Sequence, residues 1–263
     1  VETPGARGGT FLELEATVPN DTKSIKYAAY LPPEYRPGRM YPVVIELGPM
    51  GRTLKEGLEW WAGNAERVGQ AGRQGWIVVA PQYDETQEAH YKYSSGAHQA
   101  VIETLRDVRK RFTIDSNKVF LAGHGKGGEA AWDIGLSHPD LFAGVIPISA
   151  AIPEAAIFTR GNGKYCPLYI VGGELDSEFV AGNCKHVQTM VEAKHDLIYV
   201  EYVGHGREHF QMEIEMLFDW MSRKEREAFP KEFSIRAVRP EDTNYWWWKL
   251  AETPQVLKAN AVS

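Results

Sequence analysis

A chain of 263 residues, 43% hydrophobic and 24% charged, is long enough to close one large core. A net charge of −6 removes the basic footprint that a nucleic acid or an anionic membrane would need, so neither is expected as a partner. No apolar run approaches the ~18 residues of a membrane span. The start at Val1 rather than Met points to a trimmed or processed chain. The compartment stays unassigned, with export after removal of a signal peptide left open.

Residues 11–16 alternate apolar and acidic side chains, the pattern of a half-exposed strand, and residues 25–31 form a second strand closed by Pro32 and Pro33. Residues 41–47 (YPVVIEL) are nearly continuously apolar, as a buried parallel strand is, and Gly48-Pro49-Met50-Gly51 ends them. A helix is predicted over 54–71, with Trp60 and Trp61 packed inside rather than forming a ligand platform. Residues 76–81 give another buried strand. The polar and aromatic segment 82–95 is too long for a tight turn and lies where a cleft wall would be. Ala97, Ala100, Val101, Leu105, Val108 and Phe112 mark an amphipathic helix; its other face, Glu103, Arg106, Asp107, Arg109 and Lys110, reads as solvated.

Residues 118–139 carry the most information. Val119 to Ala122 is a short strand, Gly123, Gly125, Gly127 and Gly128 crowd a turn, and a helix runs over 129–138 until Pro139 stops it. Strand, glycine turn and helix are the setting of a nucleophile elbow, G-x-S-x-G. Here the turn reads Gly123-His124-Gly125-Lys126-Gly127, with glycine where the serine belongs.

Strands follow at 144–148, 168–171 and 198–203, with Asp176 just beyond the second of them. A helix over 209–221 offers Met212, Leu217, Trp220 and Met221 as apolar contacts. This alternation predicts an α/β fold: a doubly wound, mostly parallel sheet covered on both faces, with a short C-terminal β extension. Composition shifts at Arg223, so the expected division is a main domain over 1–222 and an extension over 223–263, with short strands at 233–238 and 245–250. Residues Tyr245 to Trp248 are too apolar to stand alone; they pack back or begin a second domain. Cys166 and Cys184 read as two buried thiols, with a disulfide as the alternative.

These motifs resemble α/β-hydrolases, in the branch that holds esterases, dienelactone-hydrolase-like proteins and prolyl-oligopeptidase-like peptidases. The resemblance runs over 28–221 and includes RFTIDSNKVFLAG before the elbow and HPDLFAGVIP after it. The branch shows Gly-His-Ser-Met-Gly-Gly at the elbow, against Gly-His-Gly-Lys-Gly-Gly here. It implies Asp176 as the acid of a Ser, Asp, His series. The base is implied at position 207, where Gly-Arg-Gly-His-Glu is replaced by Gly204-His205-Gly206-Arg207-Glu208. An arginine cannot deprotonate near neutral pH. The loop that would lend an oxyanion N–H carries Pro49, which has none.

The three departures together imply a hydrolase-like protein that has lost serine-hydrolase catalysis. It would serve as a binding or structural module, with a small molecule in the old cleft or a protein partner in a larger assembly. The alternative is an ester or peptide hydrolase with a rearranged site: His205 or His209 swung in as base, Lys126 as an amine nucleophile, or Ser94 and Ser95 in the cleft wall. The plainer readings are loop and helix-start contacts for the histidines, an exposed side chain for Lys126, and a helix N-cap for the serines. His205, His209 and Asp176 match no metal-ligand spacing, so no metal and no cofactor are expected. The expected geometry is Gly125 at positive φ and Arg207 paired with Asp176.

Overall fold

A computed structural model describes residues 3, 6–19, 22–49, 51–64, 66–84, 86, 88–239 and 241–249, and the backbone of 258–262. Met50 and Leu250, on which sequence expectations fell, lie outside these residues. The elements run β1 (Phe11–Thr17), β2 (Ser24–Tyr30), β3 (Tyr41–Leu47), α1 (Leu54–Ala62), α2 (Gln70–Gln74), β4 (Ile77–Pro81), α3 (Ser95–Arg111), β5 (Ile114–His124) and α4 (Lys126–Ser137). They continue as β6 (Gly144–Ile148), α5 (Glu154–Thr159), β7 (Leu168–Gly173), α6 (Ser177–Glu192), β8 (Leu197–Tyr202) and α7 (Ile214–Ser222). The chain ends in β9 (Glu232–Arg236), β10 (Asn244–Tyr245), β11 (Trp248–Lys249) and β12 (Lys258–Val262).

Eight strands form one sheet in the order β1-β2-β4-β3-β5-β6-β7-β8. β1, β2 and β4 pair antiparallel, and the remaining neighbours from β4 to β8 pair parallel. Central strands need apolar side chains on both faces because helices cover both. Val43, Ile45, Val119, Leu121 and Val145 accordingly face one core with α3, α4 and α6, while Val44, Phe120, Ile146 and Val171 face another with α1 and α7. The sheet is the doubly wound, mostly parallel one expected, and parallel strands point their carboxyl ends to one edge, where sites form in this architecture.

Several local expectations are corrected. The helix over 54–71 is interrupted by an antiparallel bridge between Gly63 and Val68, which separates α1 from α2. The helix predicted from residue 209 begins later: Phe210 takes φ +44, a 3-10 turn spans Gln211–Glu213, and only then does α7 start, leaving Met212 exposed. The charged face of α3 is not wholly solvated: Glu103 is buried beside Arg106, and Asp107 accepts from Tyr27 Oη at 2.8 Å and Arg111 Nε at 2.6 Å. Both cysteines are free; Cys166 is buried as expected, but Cys184 is exposed within α6 rather than buried. In the C-terminal segment β9 pairs with β12, and Asn244 to Lys249 fold as a two-residue-per-strand hairpin where one strand over 245–250 was expected. Tyr245 is fully buried while Trp247 stays 45% exposed, so the aromatic cluster is only partly covered.

Two glycines make the strand-to-helix turn possible. Gly125 sits at φ +52 with open space where a Cβ would lie, whereas a Cβ on Gly127 would overlap the Leu47 carbonyl of β3. Gly125→Ala should therefore cost only its backbone strain, about 1–3 kcal/mol. Gly127→Ala should cost more, because backbone must move. Urea unfolding of the two variants measures the difference.

Candidate functional site at the carboxyl edge of the sheet

β5 delivers His124 and Gly125 to the carboxyl edge, and Gly125 (φ 52, ψ −118) caps α4 at the expected elbow. Its N–H donates to the Ile148 carbonyl at 2.8 Å. Beyond β7, Asp176 caps α6, with Oδ1 accepting from Phe179 N–H at 3.2 Å. Arg207 Nε donates to Asp176 Oδ2 at 3.1 Å and its Nη2 donates to Glu178 Oε2 at 2.7 Å. Asp176 and Arg207 are thus joined by an ion pair, as the sequence led one to expect, on a half-exposed guanidinium. Ser94 caps α3 through its side chain, the plain role, and Ser95 is the first residue of that helix.

Lys126 is neither the exposed side chain nor the free amine anticipated. It is buried, ion-paired with Asp84, and its Nζ donates to Thr86 Oγ1 and the Glu88 carbonyl, both at 2.8 Å. Glu129 lies one turn on; its Oε1 meets His90 Nδ1 at 2.9 Å and its Oε2 accepts from Tyr91 N–H at 2.7 Å. Asp133 follows, accepting from Tyr91 Oη at 3.0 Å. Residues i, i+3 and i+7 share one helix face, so α4 presents a charged stripe to which the cleft-wall segment is fastened. Tyr83 Oη closes the far end by donating to the Gly48 carbonyl at 3.0 Å. What stays open is a cleft of about 430 Å³ lined by Pro49, Arg52, Thr53, Tyr83, Asp84 and Lys126.

Sequence reasoning missed a second buried acid. Glu46, at the end of β3, accepts from Trp61 Nε1 at 2.8 Å and meets His124 Nδ1 at 3.0 Å. The carboxylate accepts, so the imidazole proton lies on Nδ1, and His124 Nε2 is left buried without a partner among the described residues. A glutamate inside an otherwise apolar strand was the available signal. Of the two histidines flanking position 207, His205 pairs with Glu208 at 3.2 Å on the outer side. His209 instead lies against His124, ring centroids 5.1 Å apart. The loop carrying both is held by Ser149 Oγ, which donates to the Glu208 carbonyl at 2.7 Å from a residue strained at φ +48.

Among the described residues, His98, His138 and Asp242 form a trio whose nitrogen and oxygen atoms lie within 4.8 Å of one another. Arg239 Nη1 stands 2.6 Å from His98 Nδ1, so a guanidinium already fills the space a cation would take. The trio does not fit a metal.

Burial, with His124 and Arg52 nearby, pushes the His209 imidazole down from 6.5 to about 4. The folded protein then binds fewer protons here than the unfolded chain between those values, so stability falls as pH drops from 6.5 toward 4. His209→Gln should flatten that part of the profile, seen as a smaller loss of Tm between neutral and acid pH.

The Esterase family model matches residues 21–249. No curated protein sequence matches the chain. Among solved structures, a thermostable esterase is similar at 23% identity, covering 82% of this chain and 63% of that one, with a TM-score of 0.66. The chain thus spans about 63% of that esterase's length. A ferulic acid esterase is similar at 17% identity over 84% of this chain and 99% of its own, TM-score 0.66. An S-formylglutathione hydrolase from Staphylococcus aureus is similar at 16% identity over 81% and 98%, TM-score 0.61. At such identities the likeness is one of fold, and the mostly parallel sheet covered by helices agrees with it. With a family model covering most of its length, the chain belongs to the esterase family of the α/β-hydrolase fold.

Proposed function

We propose that this esterase-family protein does not work by the covalent serine route and instead holds a small ester or related acyl compound in the cleft beside the elbow. One observation carries the reading. The elbow residue, Gly125, has no hydroxyl, and the residue in the base position, Arg207, is ion-paired with the acid that would orient a base. Loss of triad members costs orders of magnitude in rate. The ligand class is taken from family membership and from a cleft of about 430 Å³. Docking within a larger assembly is the other form of the same reading. Its boundaries remain those proposed from composition: the hydrolase-like unit over 1–222 and the extension over 223–263.

A second reading has its own support. Family membership and the His124–His209 contact favour ester hydrolysis by a rearranged site, with His209 largely neutral near pH 7 and able to accept a proton. Lys126 is a weak nucleophile in either case, since its ammonium is engaged by Asp84.

A fluorophosphonate probe and an activated ester separate the readings. The wild type is expected to remain unlabelled and to leave the ester at its background rate. Gly125→Ser alone should restore nothing, because the hydroxyl has no base; Gly125→Ser with Arg207→His is the combination expected to label. Turnover by the wild type that disappears in His209→Ala would establish the rearranged site instead.

A further inference from the structure

Arg239 lies between β9 and β10 and is 1% exposed, an unusual place for an arginine outside the main sheet. Its Nη2 donates to Asp133 Oδ1 at 2.7 Å. Its Nη1 donates to His98 Nδ1 at 2.6 Å and to Asp242 Oδ2 at 3.2 Å, and the guanidinium lies over the Tyr93 ring at 4.7 Å. Asp133 Oδ2 accepts from Tyr91 Oη at 3.0 Å and from His98 Nε2 at 2.9 Å. A single carboxylate on the elbow helix therefore joins three pieces of chain: α3 through His98, the cleft wall through Tyr91, and the C-terminal segment through Arg239.

A carboxylate with no exposed surface needs a cation or it will not stay ionised. Burial works against the charged form of Asp133, but His98 and Arg239 outweigh it and hold the carboxyl below its usual range. Without Arg239, the Asp133–His98 pair would have to take up a proton or Asp133 would turn toward water, and either change rearranges the contacts around the carboxylate on which Tyr91 rests. Docking of the C-terminal segment does not itself require this. Asn162 fastens it separately, donating to the Arg236 carbonyl at 2.9 Å and accepting from the Arg236 N–H at 3.0 Å. Arg239 is therefore spare as an anchor, while it is the permanent cation on Asp133.

We propose that Arg239 is a positioning residue for the segment after β4: through Asp133 and Tyr91, the C-terminal segment sets the order of residues 88–93, which continue the stretch (Tyr83, Asp84, Thr86) that lines the cleft. The consequence for ligand binding rests on the cleft reading above; the coupling itself does not, and its test uses no ligand. Coupling between two sites is reciprocal, so a change in the wall must also loosen the segment.

Hydrogen exchange on the full chain reads both directions. In Arg239→Met, residues 88–93 should exchange about tenfold faster while β3 and β5 keep their protection. Arg239→Lys, which keeps the charge but loses the fork, should recover part of it. Tyr91→Phe should speed exchange at 241–245. Asn162→Ala should loosen β9 and leave 88–93 unchanged, a result that general undocking would not produce. Unchanged exchange at 88–93 in Arg239→Met, or equal loosening there in Asn162→Ala, overturns the proposal. If Arg239→Met loses the protection of the sheet as well, Tyr91→Phe decides: unchanged exchange at 241–245 overturns it.

Discussion

The close approach of α4 to the ends of β3 and β5 is the constraint on which the carboxyl edge of the sheet depends. The Gly127 α-carbon lies against the Leu47 carbonyl, a distance that leaves no room for a side chain. With the helix fixed there, its first turn projects Lys126 and Glu129 toward the segment after β4, and the second turn projects Asp133. The wall of the cleft is positioned by what this helix presents, and the helix is positioned by a contact between backbones. A hydroxyl at 125 is not needed for any part of this.

Buried charges govern the next layer. Lys126 with Asp84, and Arg239 with Asp133, are pairs taken out of water, and such pairs add little net stability while making the removal of one partner expensive. Their effect is to reject alternative arrangements of the segment after β4, because any other placement would strand a charge. On the opposite face of the sheet, beside Trp60 and Trp61, a hydrogen bond between His124 and Glu46 joins β5 to β3.

Features written in short stretches of sequence were legible: the strand, glycine turn and helix at 118–139, the acid just past β7, the exchanged histidine and arginine at 205 and 207. The Asp176–Arg207 contact was legible too, because both ends sit on loops whose places follow from the strands before them. The rest depended on partners far away in the chain. Lys126 looks like a surface lysine until Asp84, 42 positions earlier, is folded over it. Arg239 reaches His98 across 141 positions, and no helical periodicity records that. The hairpin at Tyr245 escaped for a different reason: Trp246 takes φ +48, which a tryptophan adopts only when its surroundings impose it.

Positions 125, 207 and 126, where the elbow and the loop after β8 differ from the motifs they resemble, are unequal in how deeply they are set into the fold. Open space lies where a Gly125 Cβ would be, so a methyl there meets no obstacle beyond the backbone's own preference. Arg207 is half exposed, and an ion pair of that kind is worth about 0–1 kcal/mol. Lys126 is different, since its charge is enclosed by the very segment it holds. In the landscape of neighbouring sequences, the first two positions lie on shallow ground and the third in a steep-sided well. Diversification of this scaffold should therefore drift readily at positions 125 and 207 while the segment held by Lys126 stays as it is.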